Sequence, residues 1–501
     1  MAQVSPSSPA GSAVPPVRVT AMRSRSRRLV VASAAALVLA AAAAGPAAAA
    51  GFDVGLADGV PSVVSSQHPF IAPQTRPSEV RERPTDENDP NRNGYTVPEA
   101  PRSPACSDHF CVHWVAEGLD APSLADANDD GIPDFVETVR EIAEHVHTIE
   151  NGKLGWREPK SDGKRGGGGN GRTDIYLSQV GGALFGYAAP DRGQGEKGRI
   201  PRRLYGYLVI DNDYSAFEFP GTKPIDDLEV TLAHEYNHIL QFGYDAFQDA
   251  WFAEATATWM EDQVYNEIDD YLRYVRRWGK LYDTPLTASS IKEYGSAVWN
   301  TWLTHRYGRA LLRKAWAGAI HIRPGGFSVG AYDTVIRAAG PSDFNRDFAR
   351  FVTAVPEWRT GEGFRESQRY PNVPRQGRLA LNGETRTRLL NHTTFQLLRV
   401  RARGGRAVVV HVTAPRGVAA GVALVGRIGG ERTGRAVRIL NFKRQGGRMT
   451  VRLPNPGRFS RITAALVNAD TSAKGFSSRR LDWLYLTDGM PFEVRGEIVR
   501  G

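Results

Sequence analysis

The hydrophobic period of this chain changes once, between about Val355 and Arg375, and that change limits the folds open to it. From Asp226 to about Val355 apolar residues recur at helical spacing, most clearly in TLAHEYNHILQFGY, WFAEATATWMEDQVY and SAVWNTWLTHRYG. After about Arg375 come short alternating segments, FQLLRVRA, AVVVHVTA, GVALVGRI, MTVRLPN and ITAALVNAD, separated by Gly, Pro and Asn turns. That is the pattern of an antiparallel β-sandwich. Strand candidates HFCVHWVAEG, DIYLSQV and RLYGYLVIDND precede the helical stretch, with the helical segment FVETVREIAEHVHTIE between the first two. The expected fold class is α+β: a mixed sheet plus helices over residues 106–374, then an all-β sandwich over 375–501. A chain of 501 residues exceeds what one hydrophobic core usually organises, so two folded domains plus unstructured segments are expected.

The N-terminus has the layout of an export signal over residues 1–50: a basic stretch from Arg23 to Arg28, an Ala/Val/Leu run from Leu29 to Ala44, and GPAAAA before a cleavage point after Ala50. Met22 is an alternative start, and Arg27-Arg28 admits a twin-arginine route. The apolar run is short and Ala-rich, which disfavours a retained anchor, and no later segment could cross a membrane. No stable membrane insertion is therefore expected once the signal is removed. Residues 51–105, rich in Pro, Asp, Asn and Arg, read as a disordered linker or propeptide. Lys and Arg number 63 against 54 Asp and Glu, but the arginines are scattered instead of forming dense runs between aromatics, so nucleic-acid binding is not expected. Gly166 to Gly169 read as a surface loop, because the run lacks the Gly-Lys-Ser/Thr ending of a phosphate cradle.

The segment LEVTLAHEYNH carries chemistry. Residues four apart on a helix share a face, so His234 and His238 can grip one metal ion, with Glu235 beside them to take a proton from water. Zinc held this way needs a third protein ligand. Glu254, in WFAEATATWMED, follows a turn-containing stretch that lets a second helix fold back on the first. Glu261 lies two turns further on the same face, as the runner-up ligand or the hydrogen-bond partner of a ligand histidine.

HEYNHILQ followed by WFAEATATWMED resembles the gluzincin branch of HExxH metallopeptidases, whose third ligand is a glutamate. The resemblance implies a zincin-like domain with His234, His238 and Glu254 as zinc ligands and Glu235 as general base. More widely, from Cys106 to the C-terminus, the order of segments resembles a group of secreted bacterial zinc metalloproteases: a Cys-flanked strand, an acidic loop ending in PDFVE, a strand ending VIDND, the zinc helix and a β-rich tail. Only the zinc segments are specific. The spacing from His238 to Glu254 is shorter than in thermolysin-like members, and Thr258 stands where those enzymes put an Asp behind a ligand. The resemblance also puts an oxyanion-stabilising tyrosine at Tyr294 in EYGSAVWNTWL, against a packing role for the same ring, with His305 as second choice.

Residues 126–137, DANDDGIPDFVE, fit the calcium-loop pattern D-x-[DN]-x-[DN]-G-x5-E. Asp126, Asn128 and Asp130 would offer side-chain oxygens, Ile132 its carbonyl, Asp134 a direct or water-bridged contact, and Glu137 two oxygens. The alternative is a solvated acidic turn. Cys106 and Cys111, the two cysteines of the chain, are expected to form a local disulfide, a zinc-masking cysteine being the sharper alternative. His109 and His113 flank Cys111 and read better as strand residues than as a second metal site. His145 and His147 point to different sides of a helix and receive no role. Asp211 and Asp213 in VIDNDY read as an Asx turn, with cation binding as the alternative.

The expected protein is thus a secreted, monomeric zinc endopeptidase, extracellular or associated with the cell envelope. Zn2+ and Ca2+ are its expected cofactors and a peptide or protein its substrate. Two alternatives stand beside it: a calcium-binding surface or adhesion protein with an inactive peptidase-like domain, and a zinc hydrolase of a non-peptide amide.

Overall fold

The computed structural model describes residues 83–86, 94–166, 170–180, 184–191, 194, 202–288, 290–319, 327–360, 366–402, 404–430, 433–472 and 488–500. The expected export signal, the alternative start at Met22 and residues 51–82 lie outside them, as do Gly167 to Gly169 of the glycine run. Everything described belongs to one compact unit, residues 55–501.

Five strands form the first sheet: β1 (Ala105–Cys106), β2 (Phe110–His113), β3 (Thr173–Ser178), β4 (Gly186–Pro190) and β5 (Gly206–Asp211), in the order β1-β2-β3-β5-β4. β2, β3 and β5 run parallel, and β1 and β4 are antiparallel edges, so the sheet is mixed. Cys106 and Cys111 are cross-strand partners with their sulfurs 2.09 Å apart. Because side chains alternate along a strand, the sheet has two different faces. Val112, Ile175, Leu177, Ala188, Leu208 and Ile210 point into the main core, while Tyr176, Tyr187, Ala189, Tyr207 and Val209 cluster on the other side with Tyr95.

Tyr95 belongs to the segment expected to be a structureless linker, and here the structure differs. The Tyr95 hydroxyl donates to the carbonyls of Leu177 (2.8 Å) and His113 (3.1 Å), Glu99 bridges to Val115, and Ala100 is buried in the core. Arg83 is 0% exposed, and its guanidinium meets Asp162 and Asp191 at 2.8 Å each, and Asp174 as well. Single tyrosine and arginine anchors leave no hydrophobic period, so composition alone reads such a strap as a linker.

The helices are α1 (Asp134–His147), α2 (Pro224–Asp245), α3 (Ala250–Val264), α4 (Leu272–Trp278), α5 (Lys292–Gly295), α6 (Ala297–Tyr307), α7 (Ala310–Ala319), α8 (Phe327–Ala339) and α9 (Phe344–Ala354). α2 begins with Pro224 at its first position and Asp226 and Asp227 in its first turn, which suits the orphan amides and the positive end of a helix. From Ala250 to Asp262 every residue of α3 is buried, and no helix among the described residues is long and apolar enough to cross a membrane. A helix buried on all sides is a core helix.

The remaining strands are β6 (Arg378–Leu379), β7 (Asn382–Leu390), β8 (Thr394–Val400), β9 (Ala407–Ala414), β10 (Ala420–Ile428), β11 (Arg435–Lys443), β12 (Gly447–Pro454), β13 (Arg461–Asn468) and β14 (Met490–Val499). They form two sheets, β11-β10-β13-β8-β6 and β12-β9-β14-β7. All pairings are antiparallel except β6 with β8, where a two-residue strand pairs parallel. One apolar core unites residues of both sheets, among them Leu398, Val410, Val422, Val451, Leu466 and Phe492. The opposite face of the first of these sheets supplies Phe395, Leu397, Ala465 and Val467 to the helical core that also holds Phe351 and Val352 of α9.

Removing the buried cation in Arg83→Ala leaves Asp162, Asp174 and Asp191 buried with Arg165 at Asp191 and His113 at Asp174 against them, and breaking a buried ion pair typically costs about 3–5 kcal/mol. Urea unfolding at pH 7 should show a loss of that order, and a loss below about 1 kcal/mol would mean the strap is not needed for the fold.

Candidate metal centre

α2 and α3 are joined by only four residues, Ala246 to Asp249, so α3 returns directly against α2. One turn of α2 separates His234 from His238, and their rings lie 4.9 Å apart. Glu254, in the second turn of α3, puts Oε2 3.2 Å from His234 Nε2 and 3.7 Å from His238 Nε2. The three candidate ligand atoms lie within 4.8 Å of one another. All three side chains are at most 1% exposed, as is Glu235.

The far nitrogen of each imidazole is also held. His234 Nδ1 lies 2.6 Å from Glu261 Oε1, and His238 Nδ1 lies 2.9 Å from Gln241 Oε1. Gln241 is itself fixed, because its amide donates to Asn237 Oδ1 (2.7 Å) and to the Ala253 carbonyl (3.1 Å), which turns its oxygen toward His238. With an acceptor at each Nδ1, both Nε2 atoms face the Glu254 carboxylate, an arrangement that needs a proton or a metal ion between nitrogen and oxygen. Thr258 is buried, and it is Glu261, three residues on along α3, that meets His234 Nδ1.

Electrostatics favour positive charge at this point. Burial disfavours the ionised Glu254, yet His238 and His234 beside it hold its carboxyl down at about 2. Burial likewise opposes a charged His234, but hydrogen bonds to Glu254 and Glu261 raise its affinity for a proton well above the usual histidine value. Burial pushes Glu261 up to about 7 although His234 pulls the other way. A divalent cation in place of the proton would satisfy the same groups. The donor set fits a metal ion on one further observation: Glu254 Oε1 is buried with no hydrogen-bond partner. Two imidazole nitrogens and one carboxylate are a three-ligand set that leaves a coordination position open.

Glu235 accepts a hydrogen bond from the Ala188 N–H of β4 at 2.9 Å, which directs that amide out of the sheet edge toward α2. Tyr294 stacks on His234 with ring centroids 6.1 Å apart and on Tyr274 at 5.1 Å, so its ring belongs to the wall of this site. His305 is exposed in the last turn of α6. Behind α2, Asn237 donates to Glu150 at 2.8 Å, and burial raises the Glu150 carboxyl well above the ordinary range despite that bond.

The acidic loop folds back on its own side chains. Gly131 N–H donates to Asp126 Oδ2 (2.8 Å), Asp130 N–H to Asn128 Oδ1 (3.0 Å) and Ile132 N–H to Asp130 Oδ1 (2.8 Å), with Gly131 at φ +84°. Asp134 begins α1 and accepts from Ala127 N–H, and Glu137 lies 3.3 Å from the Asn128 amide. Asp211 Oδ1 accepts from the Asp213 and Tyr214 amides, the Asx turn expected for VIDNDY. His113 is buried between Glu99 and Asp174, whereas His109 stacks on His147 at 3.5 Å and pairs with Glu144. The structure thus joins His109 to His147, a pairing across a strand and a helix that spacing does not reveal.

A family model described as "Family of unknown function (DUF6055)" matches residues 210–324, which contain His234, Glu235, His238, Glu254, Glu261 and Tyr294. No curated protein matches the chain. Among solved structures it is similar to a family GH115 4-O-methyl-α-glucuronidase with specificity for decorated arabinogalactans, at 7% identity and a TM-score of 0.14. That match covers 58% of this chain and 46% of the other, so the chain spans less than half of that structure's length, and a likeness so low carries no argument.

Residues behind metal ligands typically contribute about 10–100-fold to metal affinity. Zinc titration against a chelating dye should show losses of that size in Glu261→Gln and Gln241→Ala. Unchanged affinity in both would mean these side chains do not orient the imidazoles.

Proposed function

We propose that the chain is a secreted zinc-dependent endopeptidase of the HExxH gluzincin type, in which His234, His238 and Glu254 hold the metal and Glu235 is the general base. The observation that carries this reading is the convergence of two Nε2 atoms and one carboxylate at a buried point, with each Nδ1 fixed by its own acceptor. Zinc bound by this donor set supplies Lewis acidity, which makes water a usable nucleophile near neutral pH and polarises a carbonyl.

Glu235 sits one residue from a ligand and is anchored through one oxygen by the Ala188 amide. It takes the proton of the attacking water and returns it to the leaving amine. Tyr294, against the His234 ring, is the candidate to donate to the developing oxyanion. β4 is an edge strand whose Ala188 amide already faces the site, so an extended peptide could align along it as an added strand. That supports a peptide over a small non-peptide amide. The four central side chains are buried, and turnover therefore requires the site to open to substrate.

Calcium is the second proposed ion, held by Asp126, Asn128, Asp130, the Ile132 carbonyl, Asp134 and Glu137. A buried Asp126 Oδ1 without a hydrogen-bond partner supports it. The cysteine pair and a calcium loop both suit an oxidising, calcium-supplied exterior.

Wild type and Glu235→Gln should be compared on unfolded protein and peptide libraries, where the variant should keep its metal and lose about 10²–10⁴-fold in rate. Equal cleavage by both would remove Glu235 from the chemistry. Calcium binding only the folded loop should raise the melting temperature, an increase absent in Asp130→Ala. No difference between calcium and chelator in wild type would reduce the loop to an acidic turn.

A further inference from the structure

Arginines that are scattered in the sequence converge at one place, where the segment after α9 meets the ends of β8 and β13. Arg375, Arg399, Arg401 and Arg461, with Asn372 and Ser460, line an open cavity of about 410 Å³, and no carboxylate is among its lining residues. Its volume falls in the range of small-molecule sites, about 300–1,000 Å³.

Among the described residues, one acid lies close to the guanidiniums of this region. Glu357, whose side chain is 3% exposed, lies 2.9 Å from Arg375, 3.6 Å from Arg461 and 3.7 Å from Arg427. Glu357 thus meets three guanidiniums at once. Among the described residues, Arg399 and Arg401 have no ion pair, and both stand on the exposed side of the cavity. Arg375 is nine-tenths buried and oriented by Thr463, which accepts from its Nε at 2.9 Å. Burial pushes Arg375 down to about 10 despite Glu357, with Arg461, Arg399 and Arg427 adding to the effect. A cavity lined by four guanidiniums and no carboxylate is suited to receive an anion, and guanidiniums pair best with the oxygens of phosphate or carboxylate.

We propose that this cavity binds a phosphoryl group, with Arg375 as the fixed inner donor, Arg461 beside it, and Arg399 and Arg401 closing on the ligand from the rim. Several guanidiniums around one centre favour the higher charge of phosphate over a single carboxylate. The site lies on the sandwich side of the helices and does not depend on the metal reading.

The phosphoryl group could be free or part of a polymer, and the experiment separates the two. The full chain is titrated at fixed ionic strength with inorganic phosphate, pyrophosphate and poly(glycerol phosphate), alongside Arg399→Gln/Arg401→Gln and the single Arg401→Gln. Saturable binding in wild type should weaken about tenfold or more in the double variant and partly in the single one, with melting temperatures unchanged. The arm that binds tightest then identifies the source. Absence of saturable binding in wild type, or equal affinity in wild type and both variants, overturns the proposal.

Discussion

Buried charge must be paired, and in this molecule the pairing occurs between α2 and α3. Four ionisable side chains, His234, His238, Glu254 and Glu261, lie in helices with almost no access to water. An uncompensated ion there would cost several kcal/mol, so each group is placed against one of opposite character. The four-residue α2–α3 connection, the all-round burial of α3 and the orientation of Gln241 all serve that requirement. The sheet edge at Ala188 and the Tyr294 ring complete the enclosure.

The same rule governs the far side of the first sheet. Arg83 enters a group of three aspartates, and Asp174 also meets His113, which is held in turn by Glu99. A segment without a hydrophobic period is therefore tied to β3 by charge. Beside the C-terminal sheets the arrangement is reversed, with the Glu357 carboxylate meeting Arg375, Arg427 and Arg461.

What could be read from the sequence was what local spacing encodes. His234 and His238 share a face because they are four apart on a helix, and Glu254 and Glu261 because they are seven apart, so the structure brings His234, His238 and Glu254 to one point with Glu261 behind His234. The change from helical to alternating period between Val355 and Arg375 places the helices before the C-terminal sheets, as found. Gln241 was readable in principle, three residues after His238 on the same helix. The Ala188 amide, the Arg83 strap, the His109–His147 stack and the arginine cavity were not readable, because each joins residues from elements far apart in the chain. The two-residue parallel strand β6 is likewise too short to leave a pattern.

The central claim is that His234, His238 and Glu254 are metal ligands and not merely a buried ion-paired cluster. The most direct test is the metal content of the full chain purified without chelators, for wild type and His238→Ala. The account predicts about one zinc ion per chain in wild type and its loss in the variant. Wild type devoid of zinc, or a variant that retains it in full, would contradict the account.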